Sequence, residues 1–490
     1  MESLNQIMLR NVFHVLPELV WCAFGVTLML LQPFMKSRQA LTFLALVGAA
    51  AGTLSTFSTL VGSGFSGLIT FDTFSLFFHW LVGLVAFLVI LGSDSYLERE
   101  NLAGAEFYAL ILFATAGMGV LSSAQELLTA FIGLEMSSIA SYVLAGYRRD
   151  SIKASESAVK YFLLGSFATA FFLYGIALVY GVTGSTNLSA LADASPNSTL
   201  LRLGLTLILV GLGFKVAAAP FQIWTPDVYE GAPTPVTALF SAGPKAATFA
   251  LLLRIFSTIH AATDFWFWAF WVLAVLTMFV GNLGALVQNN VKRMLAYSSI
   301  AHAGYTLVAF AAVTFVRADA DAVAPAYAAV LFYLASYALV SVGAFTVVSE
   351  IGGQGERYLT YDDYAGLGTR QPFAAAALSL FLLSLLGLPI TAGFFGKLYI
   401  FTAAIKSNLV WLAVMMAVNS IIGAYYYFRL IVVMYMREYK GTVPADAAKG
   451  LSPTAAMVVV VSAIITLYLG LVPNHVLGIV LSQPLMLSAK

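Results

Sequence analysis

Charge is what this sequence has least of. Of 490 residues, 24 are Lys or Arg and 23 are Asp or Glu, so charged residues make up 10% of the chain. Soluble domains carry about 25%. With a net charge of +1, the chain offers no strong field of one sign to draw nucleic acid or an ionic substrate. Cysteine is almost missing. The single Cys22 excludes a disulfide framework, and no Cys/His group has metal-ligand spacing. No cofactor is therefore expected on this chain. Long polar stretches are scarce too: the longest run from Val182 to Leu200 and from Ser349 to Gln371, neither enough for a soluble domain. The N-terminal segment from Met1 to Asn11 lacks a cleavable-signal layout, because the apolar run beginning at Val12 is too long and no small-residue cleavage site follows.

What the chain does have is apolar surface: 60% of its residues are hydrophobic and the mean hydropathy is +0.90. A soluble protein could not hide that much, whereas a bilayer is itself an apolar solvent. A spanning helix needs about 20 mostly apolar residues. That ruler predicts an all-α polytopic membrane protein of about fourteen spans. They centre on Cys22, Ala50, Val82, Phe113, Met136, Ala168, Leu209, Ala247, Leu276, Thr306, Ser336, Leu388, Ile422 and Thr466. Residues 1–490 are read as a single membrane domain.

Lysine and arginine in the loops set the orientation. With the N-terminus outside, thirteen fall on the cytoplasmic side: Lys36, Arg38, Arg99, Arg148, Arg149, Lys153, Lys292, Arg293, Arg357, Arg370, Arg437, Lys440 and Lys449. Five fall opposite: Arg10, Arg202, Arg317, Lys406 and Lys490. Both termini are then expected on the periplasmic side. The other six lie inside hydrophobic segments: Lys160, Lys215, Lys245, Arg254, Lys397 and Arg429, with Glu135 among them. A charge at a helix centre costs about 2.5–3.5 kcal/mol on insertion scales, and such residues are functional candidates by default.

Glu135 falls near the middle of span five and Lys215 at similar depth in span seven. They are expected to form an ion pair, either titrating or static. Lys215 precedes Pro220, Pro226, Pro233 and Pro235; Lys397 follows Gly387, Pro389, Gly393 and Gly396. Proline breaks the helical ladder, and broken helices within a membrane line cavities or pack inside protein. Two such breaks, in spans seven and twelve, predict inverted five-helix repeats over residues 104–260 and 264–436, spans four to eight and nine to thirteen. Lys245 follows Pro244 in span eight. Lysine can lose its charge on burial and arginine cannot, which separates the lysines from Arg254 and Arg429, read as structural. Lys160, one to two turns inside span six, fits snorkelling as well as proton transfer. His14, His79, His260 and His475 fall near helix ends; His302, among Ser298, Ser299, Tyr305 and Thr306, is equally open as a relay or a hydrogen-bonded core residue.

The run KVAAAPFQIWTPDVYEGAPTPVTALF, Lys215 to Phe240, closely resembles the antiporter-like subunits of proton-pumping NADH:quinone oxidoreductase, respiratory complex I, and among them the N type. FIGLEMSSIASYVLAGYRR, SAVKYFLLGSFATAFFLYGIALVYG, VKRMLAYSSIAHAGY and LGLPITAGFFGKLYIF resemble that family in the same order, from about Gln125 to Arg429. The resemblance implies a proton path through Glu135, Lys215, Lys245 and Lys397, and matches Lys160 to a lysine of N-type chains; His302 stays open as read above. Lysine rather than glutamate at 397 matches the N type. It also implies a bacterial inner-membrane setting, with M-type and small membrane subunits of the complex as partners. Redox chemistry would lie on other subunits. The rival function is a subunit of a secondary cation/proton antiporter, which would use the same buried charges.

Overall fold

The computed structural model describes residues 10–35, 37–192, 198–259, 263–315, 320–439 and 450–475. Lys36, His260, Arg317, Lys440, Lys449 and Lys490 lie outside the described residues. The chain is a bundle of helices: α1 (Leu16–Leu31), α2 (Arg38–Leu54), α3 (Thr73–Arg99), α4 (Ala105–Ser123), α5 (Leu127–Ala145) and α6 (Ile152–Thr183). A broken helix follows, α7a (Thr199–Val216) and α7b (Thr225–Gly231), then α8 (Thr234–Thr258), α9 (Thr263–Leu286), α10 (Val291–Phe315) and α11 (Ala320–Ile351). A second broken helix, α12a (Pro372–Leu386) and α12b (Ala392–Lys406), precedes α13 (Val410–Met436) and α14 (Pro453–Leu471). A small antiparallel hairpin, β1 (Gly62–Gly64) with β2 (Ile69–Phe71), covers one end, pairing Gly62 with Phe71.

Among the described residues, twelve helices are long and apolar enough to cross a membrane, α7a and α7b counting as one. The bent pair Tyr361–Arg370 and Pro372–Leu386, folded by 120°, would make thirteen. The expected fourteen is higher because α1 has 16 residues and each half of helix twelve has 15. At 1.5 Å per residue such pieces reach about 24 Å or less, short of a hydrocarbon core of about 30 Å.

Local sequence explains the helix ends. Asp72 caps α3 in a reciprocal box with Ser75. Glu126 accepts from the backbone N–H groups of Leu128 and Thr129 at the start of α5, and Gly184 closes α6 in the left-handed conformation at φ 68°. Small residues set the closest approaches, as packing between membrane helices favours. A Cβ at Gly117 of α4 would strike the α5 backbone, and one at Gly281 of α9 would strike the α10 backbone at Ala301. The enclosed centre is α8 and α10, whereas α6, α9 and α13 turn many apolar side chains outward, Phe167, Trp268 and Ile421 among them.

Both breaks fall where the residues foretold, and their freed backbone groups find partners. Helix α7a stops at Ala217, in the left-handed region at φ 61°. The Ala219 N–H donates to Thr277 Oγ1 of α9 at 2.8 Å, and the Trp224 indole donates to the Phe214 carbonyl at 2.8 Å. Helix α12a stops at Gly387, φ 93°, and Gly393 N–H donates to Ser384 Oγ at 3.1 Å. Non-helical backbone in a bundle is tolerated only when it is satisfied in this way.

Candidate functional site: buried lysines held by neutral groups

Lys215, Lys245 and Lys397 are 6%, 3% and 9% exposed, so all three are inside the bundle. Among the described residues, no carboxylate oxygen lies within 4.0 Å of any of their ammonium groups. Their partners are uncharged. Lys215 Nζ donates to the Tyr142 hydroxyl at 3.1 Å and sits over the rings of Tyr142, Tyr161 and Phe214 at 5.0, 5.4 and 5.8 Å. Trp224 stacks on Tyr161 at 4.5 Å, so the segment beyond the break walls this aromatic cage. Aromatic faces attract a cation without binding its proton.

The expected contact between Glu135 and Lys215 is not made. Glu135, half-buried, accepts instead from Thr169 Oγ1 of α6 at 2.9 Å. Tyr142 lies seven residues beyond Glu135 on α5, which returns it to the same helix face. The hydroxyl, rather than the carboxylate, reaches the lysine.

Lys245 donates to the carbonyl and hydroxyl of Ser299 on α10. Three residues on, His302 pairs through Nδ1 with the Tyr333 hydroxyl at 2.6 Å and through Nε2 with that of Tyr427 at 3.2 Å. Three residues further, the Tyr305 ring lies 4.7 Å below Lys397 Nζ. Lys397 itself donates to the Leu386 carbonyl at 2.9 Å, the last residue of α12a. Ser299, His302 and Tyr305 follow one ridge of α10 at spacing three, so a single helix strings Lys245, His302 and Lys397 together over about 9 Å of rise. Asn282 extends this polar patch, donating to Tyr305 and Asn419 at 3.1 Å each and accepting from Tyr426 at 3.0 Å.

Lys160 stands apart. Its side chain is 40% exposed and pairs with Glu156 and with Asp227 of α7b, both at 2.6 Å. Arg293 bridges Asp227 and Glu230 at 2.7 and 2.9 Å, so α7b is tied to α6 and α10 by surface ion pairs. Arg254 is 1% exposed and grips Asp72 with two nitrogens at 3.1 and 2.7 Å. Burial pushes the Asp72 carboxyl up, but the Arg254 charge and the Ser75 bonds outweigh it and hold it below the usual range. Arg429 donates to the Gln288 carbonyl and to Asn289 at the end of α9.

Two groups escaped the sequence reading. Lys292, assigned there to a loop, is 0% exposed at the start of α10 and pairs with Glu356 at 2.9 Å. Glu356 also accepts from Thr234 N–H and Oγ1, so the 349–371 loop is pinned onto α8. Burial raises the Glu356 carboxyl, but the Lys292 charge and the Thr234 bonds prevail and leave it lowered. His79, assigned to an unremarkable helix end, is 0% exposed and pairs with Glu18 at 2.7 Å. The sequence does carry a signal for that pair: Glu18 is an acid within the first apolar run.

Residues 124–423, more than half of the chain, match the family described as NADH:quinone oxidoreductase/Mrp antiporter, TM. NADH-quinone oxidoreductase subunit N 1 of Solibacter usitatus is 48% identical over 96% of both chains, and subunit N 2 of Koribacter versatilis is 49% identical over 96% of both. A chain of respiratory complex I from Thermus thermophilus, solved with bound aureothin, is 37% identical with a TM-score of 0.78, covering 94% of this chain and 98% of that one. This chain belongs to the NADH-quinone oxidoreductase subunit N family of antiporter-like membrane subunits.

Proposed function

We propose that this chain is the proton-translocating subunit N of a bacterial respiratory complex I, working with partner membrane subunits and driven by redox chemistry elsewhere in the complex. The observation that carries the mechanism is the trio of enclosed lysines bonded only to neutral acceptors. A lysine so placed has no fixed counter-charge to lock its proton on. In this reading a proton enters at Lys215. Glu135 in contact holds it; Glu135 withdrawn, as here, lets it go, with Tyr142 as the lysine's resting partner. From Lys215 the proton passes by water to Lys245, along the Ser299–His302–Tyr305 ridge to Lys397, and outward. Moving one charge against 100 mV costs about 2.3 kcal/mol, and a two-unit change in a lysine's pKa is worth about 2.7 kcal/mol. The magnitudes match.

The repeats 104–260 and 264–436 belong to this proposal. Two similarities support them: the glycine-lined contact of α4 with α5 has a counterpart in α9 with α10, and each half carries one broken helix beside a buried lysine. With α1 and the two-part helix twelve each taken as a crossing, there are fourteen spans, and the loop-charge bias favours both termini on the periplasmic side of the inner membrane. Lys160 is a surface partner of α7b in this scheme and not a carrier.

The test is Lys215→Ala in the whole complex, reconstituted in liposomes. Expected is an assembled complex that retains NADH–quinone turnover while proton transport per electron falls tenfold or more. Unchanged transport per electron overturns the path. Purification of the chain with cation-exchange subunits, and without redox subunits, would favour the antiporter reading instead.

A further inference from the structure

Apart from the lysines, α1, α3 and α4 enclose a second titratable pair. His79 is 0% exposed and Glu18 5%. The imidazole Nδ1 lies 2.7 Å from the Ser75 carbonyl and Nε2 lies 2.7 Å from Glu18 Oε1. A carbonyl only accepts, so Nδ1 carries a hydrogen. Contact between Nε2 and a carboxyl oxygen at 2.7 Å requires a second proton between them. The ring is clamped, stacked on Trp21 at 6.0 Å and edged by Phe71 at 5.2 Å. Gly119 leaves the room, since a Cβ there would come within 2.9 Å of Glu18 Oε1 and 3.1 Å of His79 Nε2.

The other oxygen, Glu18 Oε2, is buried and has no hydrogen-bond partner among the described residues. A bridge serving only to staple α1 to α3 would satisfy both oxygens, because an unpaired buried acceptor costs about 1–3 kcal/mol. Buried orphans of this kind call for a role. His14, one turn earlier in the chain, is 3% exposed and also has an unpartnered ring nitrogen, packed beneath Gly64 of β1. The remaining titratable groups nearby are Cys22, one turn past Glu18, and the ion-paired Asp72 and Arg254 beyond Ser75. Helices α2 and α4 bring no charge here; Arg38 and Glu106 stand at their opposite ends.

We propose that Glu18 and His79 form a second proton-binding site, independent of the lysine line, that takes up and releases one proton held between Oε1 and Nε2. Loaded, the pair is an imidazolium beside a carboxylate or its neutral tautomer. Released, it is a carboxylate facing a bare Nε2, and the proton leaves by Oε2 and His14 toward the hairpin end of the bundle. The Ser75–Asp72–Arg254 chain of bonds connects this change to α8, the helix that carries Lys245.

The test uses the intact complex in liposomes and dicyclohexylcarbodiimide, which enters membranes and reacts only with a protonated carboxyl. The acid proton moves to a carbodiimide nitrogen, the carboxylate adds to the central carbon, and acyl migration leaves a stable N-acylurea. Expected is labelling of Glu18, read by mass spectrometry, that falls with a single midpoint as pH rises. His79→Gln should shift that midpoint by a unit or more, a tenfold change in labelling at fixed pH. Labelling that is absent or independent of pH in the parent complex overturns the proposal, and the parent titration decides even where His79→Gln does not assemble. The readout does not depend on pumping, so its failure would leave the lysine path untouched.

Discussion

Lys215 donates its hydrogen bond to the hydroxyl of Tyr142, while Glu135, on the same face of α5, is occupied by Thr169. In the proposed mechanism the two α5 residues would exchange as partners for one ammonium group. A neutral hydroxyl and a carboxylate differ greatly in how tightly they hold a lysine's proton, so exchange between them is a means of loading and unloading it.

Tyr142→Phe keeps the ring of the cage and removes the acceptor. A hydrogen bond to a charged group is worth about 1.5–3 kcal/mol, so Lys215 should favour Glu135 by an added factor of about ten or more. Proton transport per NADH should fall several-fold in an assembled complex. Transport equal to the parent would remove Tyr142 from the mechanism.

Lys245→Arg and Lys397→Arg keep positive charge and length but give up deprotonation, since arginine stays charged. Each should reduce pumping about as far as the alanine variant does, by tenfold or more. Recovery of pumping by arginine would mean that these positions supply fixed charge only. Proton uptake measured with a pH dye in liposomes distinguishes the two.

Lys160→Gln should change transport by less than twofold. Its ion pairs with Glu156 and Asp227 are exposed, and pairs of that kind contribute about 0–1 kcal/mol. A tenfold loss in the same liposome assay would return Lys160 to the proton path.

Glu356 gives the stability of this subunit an acid limb. Its folded-state pKa is lowered, so its contribution is present above the unfolded value of about 4.3 and is lost as pH falls through the lower folded value. Glu356→Gln leaves Lys292 buried beside a neutral amide, a change of the kind that costs about 3–5 kcal/mol. Thermal unfolding of the complex should show the variant less stable near pH 7 and the gap narrowing in acid. A gap of constant size would refute the assignment.

The lysines were legible because charge in so apolar a chain stands out, and the breaks because proline and glycine announce them. Depth was not legible to within two turns. The sequence suggested Glu135 for Lys215, but the bond goes to Tyr142, seven residues further along the same face. Nor does local sequence reveal depth at a helix end: Lys292 reads as a loop residue beside Arg293, yet Glu356, remote in the chain, encloses it. The expected span count exceeds the membrane-length helices at α1 and helix twelve, where apolar composition persists but helical length does not.

The break in helix seven is closed from outside its own half of the chain, by the bond from Ala219 N–H to Thr277 on α9. Helix α9 is in turn locked against α10 by glycine contacts, and α10 presents Ser299 to Lys245. The pivot of the first half is thus anchored in the second. In the proposed mechanism, a tilt that loosened the break beside Lys215 would be passed through α9 and α10 to Ser299 and Lys245.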